Sequence, residues 1–347
     1  MESKDGKTSF FITFCIAALS LYLLIAGQEL LIPFVIAIVI WYLIISIASA
    51  FRRIPLAGPY IPRWLSLIAA VALCLWTFYF VVELITDNIT QLISIMPSFQ
   101  ERFFAVLNDS IKLLGIKNPP DLSELFKDFN LTSFFTNIAQ TTASIAGSTG
   151  IILIYVIFLL LEYESFDQKL AALIPDKGRL DKAQRLIRKI SQQIQTYVRI
   201  HTLLSMVTAF ACYGVLVTVG VELAEFWAMM VFLLNYIPTI GSIIATIFPC
   251  AMALIQFDSW TPFVIVTLSL TAIHMSIGNI LEPRLIGRSV NLSGLVIILS
   301  LTVWGAIWGI AGMFLSVPIM VILNLIFANF PSTRPIAVIL SQDGKLD

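Results

Sequence analysis

Long apolar stretches alternate with short charged intervals along this chain. The apolar stretches cover about 10–27, 30–51, 64–86, 145–162, 202–221 and 261–281. Each matches or exceeds the roughly 18 residues that mark a helix crossing a bilayer. None shows the period-2 alternation of a barrel strand, and a helix satisfies its own backbone in lipid, so the pattern predicts helices. Two further segments carry apolar residues at three- and four-residue steps. In 89–114 these are Ile89, Leu92, Ile93, Met96, Phe99, Phe103, Val106, Leu107, Ile111 and Leu114. Pro119 and Pro120 follow, and a second short helix is expected after Asp121. In 180–200, Leu180, Ala183, Leu186, Ile187, Ile190, Ile194 and Tyr197 form one stripe, with Arg185, Arg188, Lys189 and Gln192 off it. Both segments read as amphipathic helices. The basic face of the second suits solvent or lipid headgroups, with ligand gating as the alternative.

Two stretches are too long for that scheme. Residues 226–256 and 295–329 contain no Asp, Glu, Lys or Arg. As straight helices of 31 and 35 residues they would measure roughly 46 and 52 Å, against a hydrocarbon core of about 30 Å. The first holds Asn235-Tyr236-Ile237-Pro238-Thr239-Ile240-Gly241-Ser242 and then Pro249. The second holds Gly305-Ala306-Ile307-Trp308-Gly309-Ile310-Ala311-Gly312 and then Pro318. Proline removes a backbone donor, and glycine admits turns that other residues resist. A breaker cluster followed by a second apolar half reads as a re-entrant helical hairpin, whose irregular backbone must be buried in protein or line a cavity. The fold expected is an all-α polytopic membrane protein with about six spanning helices plus two re-entrant hairpins, or eight spans if the hairpins cross.

Composition agrees with a membrane protein: 59% of residues are hydrophobic and 12% charged, about half the charge of an ordinary soluble domain. The mean hydropathy is +0.93. The 21 basic and 21 acidic residues cancel, which argues against a nucleic-acid partner. Lys4 and Lys7 precede an apolar stretch that lacks a small-residue cleavage site, so the first helix is expected to be kept. The cysteines Cys15, Cys74, Cys212 and Cys250 lie far apart in apolar runs and read as small hydrophobes.

The placement of charge orients the spans, because Lys and Arg accumulate in cytoplasmic loops. Arg52, Arg53 and Arg63 put loop 52–63, and with it the N-terminus, inside. Region 87–144, with six acids against four bases, then lies outside, and 163–200, with eight bases against four acids, returns inside. The turn holding Glu222 and Glu225 falls outside. If 226–256 dips in from outside and returns, span 261–281 runs inward and leaves Arg284 and Arg288 in the cytoplasm, partly offset by Glu282. A single crossing would put both arginines outside. The tail with Arg334 is cytoplasmic under either scheme.

The hairpin scheme implies a pseudo-symmetry. A span with an outside-entering hairpin (202–256) is mirrored by a span with an inside-entering one (261–329). Inverted repeats with broken helices meeting near the midplane are a signature of secondary transporters. The organisation expected is therefore 1–86 as scaffold or oligomerisation spans and 87–144 as an external amphipathic region. Segment 145–200 is a span plus cytoplasmic amphipathic helix, 201–329 the transport region, and 330–347 a cytoplasmic tail.

Polar groups within the membrane are functional candidates by default. Asn235 reads as a substrate or cation ligand, or as a cap on broken backbone; Pro238, Thr239 and Ser242 share its bend. Gly241, Gly309 and Gly312, with Pro318, shape the bends, where exposed carbonyls could ligate ions. Asn279, Glu282 and Arg284 cluster at the inner end of span 261–281. Glu282 reads as a proton-coupling carboxylate tuned by Arg284, or as half of a structural salt bridge. His274, deeper in that span, is a proton relay or a hydrogen-bonded packing residue. His201 is expected at the interface, and Glu83 and Glu162 among headgroups.

An enzyme is disfavoured. Ser148 in Gly147-Ser148-Thr149-Gly150 has no histidine placed as a base, and the chain has two histidines and no HExxH, Walker A or zinc spacing. No cofactor or resident metal is expected. A passive channel or membrane scaffold is the rival of another class.

The motifs Asn235-Tyr236-Ile237-Pro238-Thr239-Ile240-Gly241-Ser242, Asn279-Ile280-Leu281-Glu282-Pro283-Arg284-Leu285-Ile286-Gly287 and Trp308-Gly309-Ile310-Ala311-Gly312-Met313-Phe314-Leu315-Ser316-Val317-Pro318 together resemble the autoinducer-2 exporter family of bacterial, PerM-like permeases. The resemblance covers nearly the whole chain. It implies a multi-pass transporter of the bacterial inner membrane with elevator-like hairpins and a homo-oligomeric state, a pentamer being one option; loop charge puts both termini in the cytoplasm. It also implies secondary-active export of a small polar solute such as autoinducer-2, with sodium or lithium exchange for protons as the alternative. The partners implied are membrane lipid and that solute or monovalent cation.

Overall fold

Every regular element among the described residues is helical. The computed structural model describes residues 2–53, 62–113, 136, 140, 143–144, 146–257, 259–286 and 291–345. In chain order the helices are α1 (Glu2–Ala26), α2 (Gln28–Arg52), α3 (Arg63–Leu113), α4 (Thr149–Leu173), α5 (Lys177–Val219), α6 (Ala224–Leu234), α7 (Ile240–Gln256) and α8 (Trp260–Ser276). A π-helical segment (Ile277–Leu281), α9 (Glu282–Ile286), α10 (Gly294–Asn329) and α11 (Arg334–Leu340) follow. Among the described residues, five helices are long and apolar enough to cross a membrane: Gln28–Arg52, Arg63–Ile89, Lys177–Val219, Trp260–Leu285 and Gly294–Asn329. A sixth is added if Thr149–Tyr163 and Ser165–Leu173, bent by 67°, count as one. The span expected at 10–27 lies in α1, where the apolar part, Phe14–Ala26, is shorter. The chain is an all-α polytopic membrane protein.

Two of the expected boundaries fall inside continuous helices. The 51 residues of α3 join the span expected at 64–86 to the amphipathic segment from 89, a contour of about 76 Å. The 43 residues of α5 join the stripe of 180–200 to the span of 202–221. The second short helix expected after Asp121, and Arg288 with its bearing on orientation, lie outside the described residues.

The helices gather into two compact units. One comprises Ile44–Thr149 and Thr196–Ser289. Its core packs Ile85, Ile89 and Leu92 of α3 with Cys212 and Leu216 of α5, Phe226, Trp227 and Val231 of α6, Ala245, Cys250 and Ala253 of α7, and Val266 and Leu270 of α8. Within it, α6 and α7 form a helical hairpin. Trp227 stacks on Phe248 with ring centroids 6.1 Å apart and planes 10° apart. The open end of this hairpin is tied by Gln256, whose Oε1 accepts from Glu222 N–H at 2.8 Å while its Nε2 donates to Gly220 O at 2.8 Å.

The other unit comprises Met1–Leu43, Gly150–Gln195 and Val290–Asp347. Here Trp308 Nε1 donates to Leu24 O at 3.0 Å, and Phe34 meets Tyr155 edge-on at 5.5 Å. By length α10 passes for a single span, yet it doubles back on itself. Ser300 Oγ donates to Ser316 O at 3.3 Å, a pair that a straight helix would hold about 24 Å apart. The reversal is at Gly309 (φ 60°, ψ −141°), a conformation essentially reserved for glycine. The open end is tied here as well: Asn324 Nδ2 donates to Asn291 O at 3.2 Å, Asn291 Nδ2 to Lys345 O at 2.7 Å, and Gln342 N–H to Asn291 Oδ1 at 3.3 Å.

The tips of the two hairpins share a device. A Cβ built on Gly241 would overlap the Leu234 carbonyl, and one on Gly312 the Trp304 carbonyl. In each hairpin a glycine after the bend lets backbone cross backbone with no side chain between.

Candidate functional site

The site grows out of one buried stripe on α5. Ile194, Tyr197, Val198, His201, Leu204, Ser205, Thr208, Cys212 and Leu216 recur at three- and four-residue steps, and all are buried. Three polar residues therefore continue an otherwise apolar face, and buried polar groups need partners. Thr208 returns its hydroxyl proton to Leu204 O, at 2.8 Å. His201 and Ser205 reach instead to the bend between α6 and α7.

That bend is the stretch Asn235–Thr239, where the helix stops and restarts. Pro238 brings no donor, and Thr239 has a positive φ of 60°. A carbonyl freed by such a break needs a substitute donor. His201 supplies it, with Nε2 to Asn235 O at 3.0 Å. The Asn235 side chain donates from Nδ2 to Ser205 Oγ at 3.2 Å. Thr202 Oγ1 gives its only proton to Val198 O at 2.6 Å, so at its 2.6 Å contact with Tyr236 the tyrosine hydroxyl is the donor. The His201 ring is wedged between Tyr197, stacked at 5.2 Å, and Tyr236, edge-on at 5.1 Å. On the far side of the bend, Ser242 Oγ donates to Thr239 O at 2.9 Å and Gly241 N–H to Ile237 O at 3.0 Å. Asn235, Pro238, Thr239, Gly241 and Ser242 thus come together, and Asn235 both caps broken backbone and offers its Oδ1 as an acceptor.

Glu282 joins this cluster. The Glu282 N–H bonds to Ile277 O, the five-residue step of a π-helix, which is common at functional sites. The wide turn immediately precedes Pro283, whose ring would clash with a carbonyl in a regular α-helix. The Glu282 Oε1 lies 3.7 Å from Nδ1 of His201, with side chains 37% and 5% exposed respectively. The partner expected from sequence was Arg284, but Arg284 is exposed and, among the described residues, forms no ion pair. Asn279 is exposed on the π segment. His274 donates from Nδ1 to Leu270 O at 3.0 Å, with Thr246 Oγ1 at 3.4 Å, and its buried Nε2 has no hydrogen-bond partner.

His201 is the site residue that sequence reasoning did not pick out. The expectation took it as the start of a span with no part in the site, whereas α5 runs through it unbroken and buries it against the bend. The continued three- and four-residue spacing past Tyr197 was the available signal. Glu162, expected among headgroups, pairs with Lys169. Gly309, Gly312 and Pro318 belong to the other unit; Gly312 and Pro318 are buried.

Comparison with known proteins fits this architecture. The profile described as AI-2E family transporter matches residues 11–332, which takes in both hairpins and the whole His201–Glu282 cluster. The chain belongs to the AI-2E transporter family. Among its relatives, the Escherichia coli (strain K12) protein named AI-2 transport protein TqsA is 27% identical over 323 residues, 92% of this chain and 91% of that one. A Haemophilus influenzae protein, named provisionally as a transport protein, is 29% identical over 325 residues, 91% of each chain. A similarly named Borreliella burgdorferi protein is 30% identical over 260 residues, 73% of this chain and 70% of that one. The family is one of membrane transporters.

Proposed function

We propose that this AI-2E chain is a secondary-active transporter that exports a small polar solute across the bacterial inner membrane, with the bend at 235–242 as the solute's binding place. The observation that carries this reading is the Asn235 bend. Its broken backbone, half-buried Asn235 and Ser242 and exposed Thr239 interrupt an otherwise apolar helical hairpin, where unpaired polar groups are costly. Asn235 and Thr239 offer hydrogen-bonding groups to a solute, Pro238 and Gly241 hold the bend, and Ser242 lies one turn on. A relative named for AI-2 transport makes autoinducer-2 the first solute to test. In this reading the hairpins are re-entrant and move as an elevator, with Gly309, Gly312 and Pro318 shaping the second. Asn279 lies along the pathway, Glu282, Arg284 and His274 are groups for proton handling, and both termini are cytoplasmic. The molecule works as a homo-oligomer in contact with lipid.

The test is uptake by proteoliposomes holding the purified protein, offered autoinducer-2, sodium or lithium under imposed proton gradients. Autoinducer-2 should accumulate above empty liposomes, and Asn235→Ala should lower the rate roughly tenfold, the worth of one or two hydrogen bonds. Accumulation of sodium or lithium alone would replace solute export with cation/proton exchange. No gradient-dependent movement of any of the three would favour a passive channel or scaffold and sink the proposal.

A further inference from the structure

Hydrogen bonding fixes the proton arrangement on His201. A carbonyl oxygen only accepts, so Nε2 must be the nitrogen that donates to Asn235 O, at 3.0 Å. The neutral ring then keeps its lone pair on Nδ1. That atom is buried and has no hydrogen-bond partner among the described residues. The carboxyl oxygen Oε1 of Glu282 stands 3.7 Å from it. Stacking on Tyr197 and edge contact with Tyr236 hold the ring plane, so the two nitrogens cannot exchange places without breaking both contacts. Among the described residues, the other titratable groups facing the pair are those two tyrosines, on α5 and the bend; Arg199 on α5 and Arg284 on α9 are exposed.

We infer that His201 and Glu282 form a proton-exchange pair that reports protonation to the bend of the α6–α7 hairpin. A proton arrives from water on the carboxylate of Glu282, the more exposed partner. It then passes to Nδ1 of His201: the O–H bond breaks, an N–H bond forms, and an imidazolium faces a carboxylate. The uptake adds one positive charge to the pair, and the internal transfer adds none. Protonated His201 has two N–H donors, one held by Asn235 O and one aimed at Glu282, so it ties the bend to α9 through α5. Loss of the proton leaves only the tie to Asn235. This inference rests on the bend being the solute's binding place, and it makes the driving ion a proton.

Two measurements test it separately from that reading. The chain has two histidines, so ring-nitrogen NMR on histidine-labelled protein in lipid nanodiscs resolves His201 once His274→Gln has assigned the other signal. As the pH falls from 9 to 4, Nδ1 of His201 should change from bare to protonated, with a midpoint that moves by about half a pH unit or more in Glu282→Gln. A ring that stays neutral throughout, or a midpoint unmoved in Glu282→Gln, overturns the pair. In proteoliposomes loaded with autoinducer-2, His201→Gln keeps an N–H for Asn235 O but has no proton acceptor. It should lose pH-driven accumulation of autoinducer-2 by about tenfold or more. Accumulation as in the unmodified protein overturns the pair too. If the unmodified protein moves no autoinducer-2, the transport reading fails while the NMR titration still decides the pair.

Discussion

Asn235 acts twice, by main chain and by side chain, and the two actions separate on mutation. Asn235→Ala removes the bond to Ser205 Oγ but leaves the carbonyl that receives His201. Tyr236→Phe removes the proton given to Thr202, whose own hydroxyl still reaches Val198. Each should lower thermal stability by about 1 kcal/mol, read as the midpoint of unfolding in detergent. A loss above about 3 kcal/mol would mean that the bend depends on these side chains for its shape. The polar bend was legible in the sequence because Asn, Pro and Gly within a charge-free stretch are conspicuous. His201 was not. A hydropathy reading ends an amphipathic segment where polarity falls and starts a span there, so a histidine at the join looks superficial. The three- and four-residue recurrence that runs from Ile194 to Leu216 ignores that join. Arg284 misled for a related reason: two positions from Glu282 along a helix, it faces elsewhere.

At the level of elements, the glycines that looked alike in sequence separate by mechanism. Gly309 has open space around it and a backbone conformation that L residues avoid. Gly241 and Gly312 have their would-be Cβ positions filled by carbonyls from the opposite arm. Gly309→Ala should therefore cost about 1–3 kcal/mol of backbone strain. Gly241→Ala and Gly312→Ala must also push two backbones apart, which cores resist, so each should abolish transport in proteoliposomes even where folded protein is recovered. Transport at half the normal rate or better in Gly312→Ala would show that the arms need not touch. The merger of span and amphipathic segment in α5 was not legible, because a drop in hydropathy does not stop a helix. Only a breaker does, and no proline lies between Lys177 and Val219.

For the whole molecule, linear order was a poor guide to compactness. The sequence reads as consecutive blocks, but each unit is assembled from segments far apart in the chain. The class of molecule was legible from charge-free runs alone, since no water-soluble globule could bury them. Orientation remains a matter of loop charge. A lone cysteine at position 288, in a chain freed of its other four, should react with a membrane-impermeant maleimide only when the cytoplasmic face is presented; reaction from the opposite face would reject the sidedness argued from Arg284 and Arg288. The amides at the hairpin ends have a broader consequence. Gln256 on one side and Asn291 with Asn324 on the other bring together positions more than thirty residues apart. Closing a loop of that size covalently or otherwise removes freedom that grows only slowly with its length. The peptide link at each tip is then one of two fastenings, and the chain can do without it. Two separately expressed fragments, 1–238 and 239–347, should find each other in a membrane and purify together through a tag on either one, as pieces cut inside a regular helix would not.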